Sequence, residues 1–120
     1  MIKKRKWITI LTMKKIFYDH LTETREITAE IDRYKIDVIE REELIRLVDE
    51  NMYHRILDVI LINLRPEKHE EFLTKFHRAP HDPNLMEYLK AEITDIEKLI
   101  TVEAKKVRAE ILAEIRKASK

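Results

Sequence analysis

The 120-residue chain contains no glycine, no cysteine and no glutamine, and its only serine is Ser119. Glycine makes up about 7% of an average sequence, so its absence removes whole classes of site. The dinucleotide fingerprint, the phosphate-binding P-loop, the EF-hand loop and the nucleophile elbow all need glycine for positive φ or for close backbone approach. Without cysteine there is no disulfide framework, no thiolate zinc site and no thiol nucleophile. A serine one residue from a chain end cannot be preorganised for triad chemistry. Long apolar runs are also missing. The longest uncharged stretch is Trp7 to Met13, seven residues, against roughly 20 for a membrane-spanning helix. Lys3, Lys4, Arg5 and Lys6 before that stretch imitate a secretory leader, but Lys14 and Lys15 cut it short and no small-residue cleavage site follows. The sequence therefore predicts cytoplasmic residence, with Met1 and Met13 both admissible as starts.

What is present is charge and apolar periodicity. Residues 1–18 hold six bases and no acid, 19–64 a net charge of −6, 65–103 a net of −3, and 104–120 a net of +4. Two basic ends flank an acidic middle, an asymmetry that the total of +1 conceals.

One kind of periodicity runs along the chain, and it predicts an all-α fold. Trp7, Ile10, Leu11, Phe17, Tyr18 and Leu21 fall on helical spacing and predict a first helix over about 6–21, although the β-branched run at 7–11 also suits a strand. Thr22 or Thr24 caps a second segment in which Ile27, Ile31, Tyr34 and Val38 repeat. Residues 34–38 also alternate at period two, so a strand remains open there. Leu44, Leu47, Val48, Met52, Ile56, Val59, Ile60 and Leu64 then form an unbroken stripe that predicts a long helix over about 39–64. Pro66 ends it and suits the first position of the next helix, which carries Phe72, Leu73 and Phe76. After a proline-punctuated loop at about 78–82, Asp82-Pro83 opens a short helix with Leu85, Met86 and Leu89. Thr94-Asp95-Ile96-Glu97 reads as a capping box. It opens a second long helix over about 94–117, bearing Ile96, Leu99, Ile100, Ala104, Val107, Ile111 and Ile115. The expectation is a single domain over 1–120. A helical segment at 1–38 precedes a multi-helix bundle at 39–120 built on two long helices and shorter ones.

Several of these stretches, Arg55-Ile56-Leu57, Glu70-Glu71-Phe72-Leu73, Glu87-Tyr88-Leu89-Lys90 and Ile93 to Ile100, resemble a family of small helical bacterial proteins of unknown function. The resemblance covers residues 40–115, implies a helical fold and carries no activity, while the first 38 residues depart from its pattern.

Chemistry-bearing residues do not assemble into a motif. His69-Glu70-Glu71-Phe72-Leu73 starts like the H-E-x-x-H zinc helix, but Leu73 stands where the second ligand belongs. His77 and His81 are four apart with Pro80 between them, which breaks the helix that would align them. Adjacent pairs such as Glu42-Glu43 and Asp49-Glu50 point about 100° apart on a helix and read as solvated faces. Asp49, Arg55 and Asp58 interrupt the long stripe at its rim. No catalytic, metal or cofactor set is expected, and no small-molecule substrate.

The expected function is that of a non-enzymatic structural or interaction protein that self-associates, most simply as a two-fold dimer. With 44% of residues hydrophobic, the interface candidates are Trp7, Phe17, Ile100, Val107, Ile111 and Ile115. An alternative is nucleic-acid or ribosome binding through Lys3, Lys4, Arg5, Lys6, Trp7, Lys14 and Lys15 with Lys105, Lys106 and Arg108. A second alternative is membrane-surface association of the basic N-terminal helix. Seventeen isoleucines and no glutamine or cysteine also predict raised thermal stability.

Overall fold

Residues 16–118 are described by a computed structural model. They form six helices and, among the described residues, no strand: α1 (Asp19–Thr22), α2 (Arg25–Asp32), α3 (Val38–Asn63), α4 (Pro66–Arg78), α5 (Asn84–Glu92) and α6 (Ile96–Ala118). The all-α bundle with two long helices is the expected architecture, and α3 and α6 are the two long helices.

The boundaries of α3 follow from local chemistry. Asp37 caps it, its Oδ1 accepting the Glu40 N–H at 2.8 Å. At the other end Arg65 precedes Pro66 and is held out of the helical region, with ψ of 137°. Pro66 then occupies the first turn of α4, where a missing N–H costs nothing. His69 closes this corner: its Nε2 lies 2.8 Å from the Leu64 carbonyl oxygen, which accepts from the protonated ring nitrogen. The imidazole that opens the zinc-like motif thus serves a helix end. Asp82 starts α5 by accepting the Asn84 N–H on Oδ1 at 2.9 Å.

Two expected boundaries are corrected. The capping box at Thr94 is not formed, because Asp95 takes a left-handed conformation (φ 59°) and α6 begins only at Ile96. Glu97 turns instead to Lys90 at 3.3 Å and His20 at 3.5 Å. The first helix is also shorter than its periodicity implies. Residues 6–15 of that prediction lie outside the described residues, and within them Phe17 and Tyr18 form a turn before the four-residue α1. Phe17 gives its N–H to the Pro80 carbonyl oxygen at 2.9 Å, and its ring packs edge-on against Phe72 and Phe76, 6.2 and 5.8 Å away. Burial of that ring outweighs another helical turn.

The second segment stops at Asp32, short of Val38. Tyr34 donates its hydroxyl hydrogen to Glu30 Oε2 at 3.0 Å, and Ile36 is half-buried. The chain turns tightly here, the Ile36 N–H donating to the Tyr34 carbonyl oxygen at 3.0 Å, with no strand formed before Asp37 recaps it.

The core is continuous through the helices. α6 lies at its centre, packing most extensively against antiparallel α3 and also against α1, α2 and α5. Ile56, Ile60, Phe72, Leu89, Ile100, Ala104 and Val107 are fully buried. Each large apolar side chain buried in this way contributes about 1.5–3 kcal/mol. Phe72 and Phe76 stack with centroids 5.9 Å apart, and Tyr53 closes on Phe76 at 5.9 Å.

Candidate functional site

The long-helix pair organises the surface. Arg55 on α3 reaches Glu103 at 2.7 Å and Glu110 at 3.1 Å on α6, which ties the middle of the pair and holds the arginine's proton affinity above its ordinary value. Toward the N-terminus of α3 the two helices leave an apolar groove. Its walls are Leu44, Leu47 and Val48 of α3, Ile111 and Ile115 of α6, and Ile31 of α2. Tyr34 and Ile36 extend it. Beyond the groove, Val38 is 70% and Ile39 78% exposed, and Leu44 and Leu47 are also exposed. Of the six exposed large apolar side chains among the described residues, these four lie at this end, while Ile62 and Val102 lie elsewhere.

A second feature is a cleft of about 500 Å³ between α1, α2 and α3, lined among others by Tyr18, Asp19, Thr22, Thr28 and Asp49. Burial, with the Asp19 charge as the lesser cause, pushes the Asp49 carboxyl up to about 6. Asp19 is also raised by burial, against the opposing hydrogen bond from the Ile16 N–H. The Tyr18 phenol is raised by burial and by Tyr53, Asp19 and Asp49. Among the described residues, no three His, Asp or Glu side chains converge to hold a metal ion.

The sequence-predicted residues are divided by the fold. Phe17, Ile100, Val107 and Ile111 are buried within the single chain. As interface candidates three of them are corrected. Phe17, packed on Phe72 and Phe76 of α4, and Ile100 and Val107, on the face of α6 that packs against α1, α2, α3 and α5, have no surface left for a partner, whereas Ile111 also lines the groove. Ile115 is half-buried and lines the groove. The exposed Val38, Ile39 and Leu47 were missed as interface residues. Leu47 lies 180° from Ile56, so its outward position was readable in the helical phase, whereas Val38 shares the phase of Ile56 and is exposed in the first turn of α3.

Lys105 and Lys106 are exposed on α6, whereas Arg108 is turned inward. Its side chain is only 11% exposed, and it donates to the Thr22 carbonyl oxygen. The three bases therefore do not act as one patch. Lys3, Lys4, Arg5, Lys6, Trp7, Lys14 and Lys15 lie outside the described residues. Among those described, no helix is long and apolar enough to cross a membrane.

No protein-family model, no curated protein and no solved structure matches the chain.

Proposed function

We propose that this protein is a non-enzymatic structural or interaction protein of the cytoplasm that self-associates as a two-fold dimer through the end of the bundle where α3 begins. One observation carries the reading: Val38, Ile39, Leu44 and Leu47 are exposed at the start of α3, and Leu44 and Leu47 line the apolar groove between α3 and α6. A two-fold axis there places the same patch on both copies and needs no second surface. Covering the area these four partly exposed side chains still present to solvent is worth roughly 7–14 kcal/mol by transfer, counted over both protomers. That is the scale of the roughly 4–15 kcal/mol that association costs in lost freedom.

Sedimentation equilibrium tests it. The wild-type chain is expected to be dimeric at tens of micromolar, and Leu44→Glu/Leu47→Glu monomeric with unchanged helical circular dichroism. A wild-type chain that stays monomeric from micromolar to millimolar concentration would overturn the reading.

A further inference from the structure

The outer face of α6 is distinct from the groove and has a different chemistry. At 100° per residue, Lys98, Val102, Lys105, Lys106, Ala109 and Lys117 share an arc of about 120°. All six are exposed. No acid of α6 lies on that arc. Glu97 is held by Lys90 and His20, Glu103 and Glu110 by Arg55, and Glu114 lines the groove. The internal ion pairs thus use carboxylates of the helix and leave its lysines without a salt-bridge partner, Lys106 lying only within longer electrostatic range of Glu110. None of Lys98, Lys105, Lys106 and Lys117 has an ion pair among the described residues, whereas Arg41 and Arg65 are each held by a carboxylate.

We propose that this face docks on the phosphate backbone of a nucleic-acid duplex without reading its sequence. From Lys98 to Lys117 the charges span about 28 Å of straight helix. Duplex DNA presents one negative charge per roughly 1.7 Å of its axis, so the row has a phosphate within reach at each lysine. Val102 and Ala109 are short, which lets the helix approach closely between the lysines. The face has no exposed Arg, Asn or Gln aligned for bidentate base contacts apart from Arg116, which is engaged with Glu30. Val102 is the one exposed large apolar side chain on it and no aromatic joins it, too little for an interfacial helix to enter a bilayer. The occupant that matches it is therefore a rigid polyanion rather than a lipid surface.

The test uses the full chain and a fluorescently labelled mixed-sequence duplex of about 20 base pairs, with anisotropy read across a sodium chloride series. Four phosphate contacts give a slope of log K against log[salt] of about −3.6. Lys105→Ala/Lys106→Ala is expected to reduce that slope by about 1.8 and to weaken binding roughly 50-fold near 0.1 M salt, from counterion release alone. Lys35→Ala/Arg78→Ala removes equal charge elsewhere and is expected to bind as the wild type does. Circular dichroism checks that both variants fold. Any one of four outcomes overturns the proposal: no duplex binding by the wild type; equal binding and slope after the α6 substitutions; equal loss from the control pair; or retention on anionic vesicles without binding to the duplex. Leu44 and Leu47 are untouched in these variants, so the result is independent of self-association.

Discussion

Arg108 on α6 donates a guanidinium N–H to the carbonyl oxygen of Thr22 at 2.6 Å, fastening the central helix to the end of α1. Thr22 is itself buried, and its hydroxyl donates to the Asp19 carbonyl oxygen at 3.1 Å. The arginine therefore supplies an acceptor's partner where water has little access, and Glu23 stands 4.0 Å from the same guanidinium.

Arg108→Ala should then destabilise the fold by about 1.5–3 kcal/mol, the range for a hydrogen bond to a charged group, because the Thr22 carbonyl is left unmatched. Lys105→Ala and Lys106→Ala, exposed on the same helix, should stay within about 0.5 kcal/mol of wild type. Urea denaturation compares the three. Equal effects would show that the inward turn of Arg108 contributes nothing.

Asp49 predicts a pH dependence of definite sign. Its folded pKa is raised from 3.8 to about 6, so between these values the folded state binds more protons than the unfolded one. Stability from this group is present below about pH 4 and is lost as pH rises through about 6. Asp49→Asn should remove that loss and stabilise the protein at pH 7. Linkage sets an upper bound of about 3 kcal/mol, and partial exposure reduces it to roughly 1–2. Glu30 works in the opposite sense. The Tyr34 hydroxyl first, and then Arg116, hold its carboxyl below the usual range, so its contribution is present at neutral pH and is lost on acidification. Glu30→Gln should accordingly destabilise at pH 7 and converge on wild type in acid. Denaturation midpoints from pH 3 to 8 that move the other way for either variant would contradict these assignments.

The chain turns left-handed at Glu23 (φ 46°) and Asp95 (φ 59°) with no glycine at either position. A non-glycine residue in this region is strained by roughly 1–2 kcal/mol. Asp95 is exposed, and glycine at a helix start costs only a few tenths of a kcal/mol relative to aspartate. Asp95→Gly should therefore raise stability by about 0.5–1 kcal/mol, after allowance for the freer unfolded chain. A lowered melting midpoint would mean that the aspartate makes a compensating contact.

Composition and core together predict a thermal midpoint above about 50 °C, toward the upper part of the mesophilic range. Phe76→Ala, which opens the aromatic cluster shared with Phe17, Tyr53 and Phe72, should cost about 3–5 kcal/mol. Far-UV circular dichroism during a thermal scan measures both.

Much of the architecture is legible without coordinates, and for local reasons. Asp37, Pro66 and Asp82-Pro83 act on backbone groups within three residues of themselves, so the limits of α3, α4 and α5 follow from their neighbours. From Val48 onward the stripe of α3, like that of α6, identifies the inner face because helical phase depends only on residue number, whereas Leu44 and Leu47 of the predicted stripe are exposed. The same arithmetic separates Arg108 from Lys106 by 200°, and the flanking Ala104 and Ile111 were the available signal that Arg108 points inward.

Other features depend on partners far along the chain. Phe17 abandons the helix that its spacing implies because Phe72, Phe76 and the Pro80 carbonyl lie beside it. Glu97 leaves Thr94 for Lys90 and His20 in the same way. The apolar face bearing Ile100, Val107 and Ile111 is the clearest instance. Periodicity establishes that such a face must be covered, since its transfer from water is favourable whatever covers it. The hydrophobic effect has no direction and names no partner, so folding alone determined that α1, α2, α3 and α5 cover this face and that Val38, Ile39, Leu44 and Leu47 stay exposed.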